Sequence, residues 1–268
     1  MKKSIFAFIS LLVALFVLSA CSNNEDVLVI GATSEPHAVI LEKAKPILEE
    51  KGIKLDIKVF SKYELINPAL NQGDIDANYF QHIPYFNAQV EEFGYELANA
   101  GSIHLEPMGI YSKKYKSLDE LPEGAIILMS SSTADHGRVL SILEANGLIK
   151  LKEGVDKLSA SVLDIAENPK DLKFVFNYAP ELLPTIYNNN EGDAVAINSN
   201  YAIEAGLNPS KDSIALESSD SPYANIIAVK KGDENKEEIK ALIEVLRSEE
   251  IQKFILEEWE GSVVPVTE

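Results

Sequence analysis

The chain has 268 residues, 46% hydrophobic and 25% charged, enough to bury a full core in one large domain or two lobes. With 42 acidic against 24 basic residues the formal charge is −18, which argues against nucleic acid or anionic headgroups as partners. The one cysteine, Cys21, excludes an intramolecular disulfide.

Lys2 and Lys3 precede an apolar run from Ile5 to Leu18, followed by Ser19, Ala20 and Cys21. A charged start, an apolar middle and small residues before a cleavage point predict a secretory signal peptide over residues 1–20. LSAC at Leu18 to Cys21 resembles the bacterial lipoprotein signal, which implies a lipid on Cys21 and a polar tether over residues 21–26. Removing the signal takes away two positive charges and no negative ones, so −18 becomes −20. No later stretch approaches the ~20 apolar residues of a membrane span, so the body is expected to be soluble, tethered outside the cytoplasm through Cys21.

From Val27 the pattern alternates. VLVIGA (27–32) predicts a strand, and Pro36 to Gly52 has apolar residues at helical spacing with a glycine stop. KLDIKVF predicts a strand, LINPALNQG a short helix closed by Gly73, and IDANYF a strand with Asp76, Asn78 and Phe80 on one face and Ala77 and Tyr79 on the other. A helix follows around Tyr85 to Phe93, and IHLEPMGIYS reads as one continuous strand. After a turn-rich stretch from Tyr111 to Glu123 a second series begins: strand AIILM, loop SSSTADHG, helix RVLSILEANG, strand LKFVF, helix PELLPTIYN and strand DAVAIN. PYANIIAVKKG is a last strand, and Glu234 to Glu258 reads as two helices. Such alternation predicts an α/β fold with largely parallel sheet. LNQGDIDANYF and NNEGDAVAINSNYA echo one another, one in each half. That suggests two similar lobes whose strand ends face across a cleft.

Catalytic constellations are weak. Ser132, Asp135 and His136 are triad residue types packed into five positions, too close for a triad's separated geometry. Asp74 and Asp76 read as strand-end capping more readily than as an acid and base pair. His37, His82, His104 and His136 lack metal-ligand spacing, so a metal site would have to come from the fold. No phosphate-cradling glycine loop is present. These readings leave a binder, with no enzyme activity, cofactor or metal expected.

VIGATSEPHAVILE, GDIDANYFQHIPYF, HLEPMGIYSKKYKSLDELPEGA, AINSNYAIEAGLNPSKDSIALE and DSPYANIIAV resemble the NlpA lipoprotein family of methionine-binding lipoproteins. The resemblance runs from about Val27 to Pro265. It implies a type II periplasmic-binding-protein fold, two lobes joined by two crossover strands, with lobe one over 27–110 plus 220–268 and lobe two over 111–219. It further implies a monomer on the extracytoplasmic face of the membrane that binds a free amino acid, commonly L-methionine, and delivers it to an ABC permease and its ATPase. By position in the family motifs, Arg138 would grip the ligand carboxylate, Asn198 and Asn225 its polar head, and Tyr79, Phe80 and His82 its remainder. His104 and Tyr223 fall in family motifs that serve ligand or structure equally. A thioether gains ~0.3–1.5 kcal/mol from each ring contact, which Tyr79, Phe80, Tyr85 and Phe86 would supply. Two segments depart from the family: SSSTADHG stands where a Pro-Asn-Asp-Pro-Thr-Asn-like loop is usual, and YAPELLPT replaces an AAQLPR-like segment. Another amino acid, a dipeptide or another small polar solute therefore stays open as cargo, as does a surface interaction lipoprotein that has lost transport.

Overall fold

The computed structural model describes residues 27–218 and 220–266; the signal, tether and Cys21 assignments lie outside them. In chain order the strands are β1 (Val27–Ala32), β2 (Lys54–Val59), β3 (Ala77–His82), β4 (Leu97–Leu105), β5 (Gly109–Tyr111), β6 (Ile126–Ser130), β7 (Lys150–Leu151), β8 (Ile165–Glu167), β9 (Lys173–Tyr178), β10 (Ala194–Ile197), β11 (Ala215–Leu216), β12 (Ala224–Lys230) and β13 (Val264–Pro265). The α-helices are α1 (Val39–Glu50), α2 (Ile66–Gln72), α3 (Ile83–Phe93), α4 (Thr133–Ala145), α5 (Leu183–Asn188), α6 (Ser199–Glu204), α7 (Pro209–Asp212), α8 (Glu237–Leu246) and α9 (Glu249–Glu258).

Two main sheets form, ordered β13-β4-β12-β3-β1-β2 and β11-β5-β10-β6-β9, with a small β7-β8 hairpin beside them. β1 pairs in parallel with β2 and β3, and β6 with β9 and β10, while β12 and β5 run antiparallel to their neighbours. Parallel strands need cover on both faces, and both sheets have it. One face of the first sheet packs Leu28, Ile30 and Tyr79 against α1, α8 and α9, and the other packs Phe80 and Ile226 against α2 and α3. Ile30, Ile40, Leu41 and Leu48 are fully buried, each worth about 1.5–3 kcal/mol over exposure. In the second sheet α4 covers Ile127 and Met129, while α5 and α6 cover Leu128, Val195 and Ile197. Among the described residues no helix is long and apolar enough to cross a membrane.

Several expectations change in detail. The two main sheets are mixed rather than largely parallel, with five of their nine strand pairings antiparallel among the described residues. The first helix begins at Val39, because Glu35 before Pro36 is extended (φ −113°, ψ 142°) and Ser34–Ala38 forms an irregular turn. IHLEPMGIYS is not continuous: β4 ends at Leu105, and Glu106–Pro107–Met108 carries the chain into β5 of the other sheet. Pro107 has no N–H to give a ladder, and its carbonyl accepts from the Ser199 hydroxyl instead. The second crossing lies between β11 and β12. Helix α4 starts at Thr133, so most of SSSTADHG is helical. The internal echo is offset by two residues from its shared Gly-Asp letters. Asp76 accepts from Val29 N–H and Asp193 from Ile126 N–H, each at 2.8 Å, and each returns a backbone bond to the same residue at 2.8 Å. Asp76 and Asp193 are the equivalent positions, each pinning the start of a neighbouring parallel strand.

Candidate functional site

The cavity lies beyond the carboxyl ends of β3, β6 and β10, where open α/β sheets place their ligands, and its space of about 370 Å³ is partly open to solvent. From the first sheet β3 contributes Phe80, Gln81 and His82, β12 contributes Asn225, and Tyr63 and Tyr85 close the wall. From the second side come Asp135 and Arg138 of α4, with Asn198, Ser199 and Asn200 where β10 passes into α6; Glu106 comes from the crossing.

Local structure explains how these side chains are aimed. The β3–β12 register shifts between Ile226 and Ile227, leaving Phe80 unpaired between Tyr79 and Gln81. That bulge turns Gln81 to the side of Asn78, where it closes a buried amide triad with Asn67 at 2.8–3.0 Å. His82 ends β3 and caps α3, its Nδ1 accepting from Tyr85 N–H at 3.1 Å. Its Nε2 then faces Asp135 Oδ1 at 3.3 Å, across the two lobes. Asn198 Nδ2 donates to Asp135 Oδ2 at 3.2 Å. An ionised carboxylate only accepts, so the amide nitrogen is the atom facing it and Asn198 Oδ1 is left buried without a partner. Asn200 Oδ1 accepts from the Tyr63 hydroxyl, and Asn200 Nδ2 is likewise buried without a partner.

The charged groups of the site are largely buried. Arg138 is buried, donating from Nε to Glu217 Oε2 at 2.7 Å and from Nη2 to the Glu106 carbonyl at 2.5 Å, with its guanidinium 4.7 Å from the centre of the Tyr223 ring. Burial works against its charge, but Glu217 outweighs burial and raises its pKa. Burial likewise raises Asp135, yet the hydrogen bond from His82, the nearby Arg138 charge and the Asn198 amide bring it below the usual carboxylate range. Burial pushes the hydroxyls of Tyr63 and Tyr85 up, so both rings stay neutral.

Of the expected contacts, Phe80, His82, Arg138, Asn198 and Asn225 line one cavity. Tyr79 does not. It stands on the other face of β3, fully buried, with its hydroxyl on His104 Nδ1 and its ring edge-on to His37. Phe86 packs in the core beneath α3. Behind the cavity the fold gathers His37, His104 and Glu106, whose ligating atoms lie within 4.8 Å of one another. Sequence spacing did not suggest this set as a metal group. Here Glu106 Oε1 accepts from His104 Nε2 at 2.8 Å and lies 3.1 Å from His37 Nε2. Burial is the largest influence on the Glu106 pKa and raises it, but the two imidazoles outweigh it and hold the carboxyl well below its ordinary range. Tyr63, Glu106 and Asn200 were missed as site residues, and Asp135 entered only as a triad type. Asn200 lies two positions past Asn198 in NSNYA, a signal open to reading. Tyr63 carries no motif and reaches the cavity only through the turn Tyr63–Leu65.

The NlpA lipoprotein pattern matches residues 28–267. The chain belongs to the NlpA lipoprotein family. It is 50% identical to the methionine-binding lipoprotein MetQ of Bacillus subtilis, over 99% of this chain and 100% of that one. Among solved structures, an Enterococcus faecalis pheromone cOB1 precursor/lipoprotein of the YaeC family matches with TM-score 0.87 and 57% identity, covering 90% of this chain and 100% of that one. A nutrient-binding protein from Burkholderia cenocepacia, bound to methionine, matches with TM-score 0.84 and 40% identity, covering 89% and 99%. The architecture is the two-lobed periplasmic-binding fold of these NlpA-family proteins, and the protein is a binding protein rather than an enzyme.

Proposed function

We propose that this protein is the lipid-anchored, extracytoplasmic substrate-binding component of an ABC importer, that it binds L-methionine, and that it passes the amino acid to a membrane permease driven by an ATPase. One observation carries the reading: the cavity pairs an aromatic wall with two buried amide atoms of opposite sense that lack protein partners, the acceptor Asn198 Oδ1 and the donor Asn200 Nδ2. Buried polar atoms are normally hydrogen-bonded, and a zwitterionic head brings a donor and an acceptor together. The relatives named for methionine, and the one bound to it, support the choice of amino acid.

In this reading Arg138 and Asn225 hold the carboxylate, Asn198 the ammonium end, and Phe80 with Tyr63 and Tyr85 the thioether. Arg138 Nη1 has no hydrogen-bond partner among the described residues, so it remains for the ligand while Nε and Nη2 fix the guanidinium plane. His82 contributes by joining the lobes. Tyr79 acts from behind, setting the face from which Phe80 projects. The first sheet, with β1 to β4, β12 and β13, forms one lobe and the second, with β5, β6 and β9 to β11, the other, so the boundary expected at 110/111 moves back to the crossing before β5; closure between the lobes excludes water. Calorimetry on the purified protein with the twenty amino acids tests the cargo: no L-methionine binding tighter than ~1 mM removes it. Cys21→Ser tests the anchor, since the protein should then leave the membrane fraction.

A further inference from the structure

We infer that the Asp135 carboxylate, completed by Asn198 Oδ1, is the seat of the ligand's ammonium and restricts the cargo to small molecules with a free protonated amine. The inference rests on the amino-acid reading of this cavity and adds to it a residue and a selection rule.

Asp135 is a buried carboxylate that no protein cation touches. It is 2% exposed, and its side-chain contacts among the described residues are the His82 ring and the Asn198 amide. His82 Nδ1 accepts a backbone N–H from Tyr85, so that nitrogen carries no proton, and the ring donating from Nε2 is the neutral tautomer. Arg138, one turn along the same helix, is committed to Glu217 through Nε and Nη2 and makes no ion pair with Asp135. Its present neighbours hold it ionised, so it stands in the cavity wall as a negative charge with no cation in direct contact. Both contacts it does make are long, 3.2 and 3.3 Å. Each oxygen therefore retains capacity for the shorter, charge-assisted bond of about 2.7–2.9 Å that an ammonium forms.

Asn198 supplies the independent observation. Its side chain is 5% exposed and lines the same cavity, and the bond its Nδ2 gives to Asp135 leaves Oδ1 as a buried acceptor with no partner. An ammonium has three donors, and Asp135 and Asn198 Oδ1 together offer the acceptors. The other cavity carboxylate, Glu106, already shares Oε1 between two imidazoles. An N-acylated ligand brings one weak amide donor and no positive charge to this corner, and an anion without an amine meets an uncompensated negative charge.

The test is calorimetry on the detergent-solubilised full chain with the twenty amino acids and, for each that binds, its N-acetyl and methyl-ester forms. N-acetylation is expected to weaken binding by about a hundredfold or more. Asp135→Asn, which keeps size and one acceptor, is expected to weaken the parent amino acid by about ten- to a hundredfold, the range of one charged hydrogen bond. It should leave the N-acetyl form unchanged or improved. If the N-acetyl form binds the wild type as well as its parent, or Asp135→Asn keeps both affinities within about threefold, the assignment is wrong and the cargo reading stands. If methionine fails and another amino acid binds, the cargo reading falls and Asp135 is tested on that amino acid. Binding to none of the twenty overturns both. The wild-type arms need no variant, so a poorly folded Asp135→Asn leaves the question decidable.

Discussion

Arg138 and Glu217 meet inside the protein, Nε to Oε2 at 2.7 Å, and the same carboxylate oxygen accepts the Met108 backbone N–H at 2.9 Å. Because Arg138 also donates to the Glu106 carbonyl, one ion pair fastens α4 to both segments that cross between the lobes. Removing one partner of such a pair strands the other charge, at about 3–5 kcal/mol. Glu217→Ala is therefore expected to lower unfolding stability by that amount in urea titration, and Glu217→Gln, which keeps an acceptor for Met108, by less. A loss below about 1 kcal/mol for Glu217→Ala would mean that the guanidinium finds another partner.

Tyr79 and Tyr85 separate support from contact. Tyr79→Phe removes a buried hydroxyl from His104 and leaves a ring nitrogen without a partner, a cost of about 1–3 kcal/mol in stability. Because Tyr79 lies outside the cavity, ligand affinity should stay within about twofold. Tyr85→Ala opens the cavity wall, and affinity should fall by about tenfold or more for loss of a ring contact and its buried area. Calorimetry and thermal melting on both variants measure the two quantities side by side.

Periodicity and glycine stops were enough to place the principal strands and helices, because a period of two or 3.6 is written by burial itself. β11, β13 and the β7–β8 hairpin were not legible, being two or three residues each and specified by their partners. The site divides the same way. Phe80, His82, Asn198 and Asn225 sit in motifs that resemble the family's, but the exclusion of Tyr79 depends on which face of β3 meets α1, which the alternation alone leaves undetermined. Arg138 was visible as a cation, while its pairing with Glu217, 79 positions away, needed the second crossing.

Acid should destabilise the protein in two stages. Burial depresses His104 below the ordinary imidazole value of 6.5. The unfolded chain therefore takes up that proton first, and stability falls as pH drops below about 6.5. Glu106 and Asp135 are depressed below 4.5 and 3.8. The stability they contribute is full above those values and is lost progressively as pH falls from them towards the depressed folded pKa values. Melting temperature followed from pH 7 to 3 should show both declines, and Glu106→Gln should flatten the lower one.

Gly137 is the residue whose replacement should damage fold and site together. A Cβ there would lie 2.0 Å from the Lys157 carbonyl oxygen and 3.2 Å from the Ala160 nitrogen, backbone atoms that cannot swing aside. Alanine in a helix gains about 1 kcal/mol over glycine in propensity, but overpacking against a fixed backbone costs about 1–3 kcal/mol or more, so Gly137→Ala is expected to destabilise. The relief available is a shift of α4 away from Lys157, and Asp135 and Arg138 sit on that same turn of helix. Affinity should therefore fall with stability. Gly94→Ala is the control: Gly94 has φ +66° and open space around its Cβ position, so it should cost about 1–2 kcal/mol of left-handed strain and leave affinity unchanged. Equal affinity in the two variants would show that α4 absorbs the clash without moving the site.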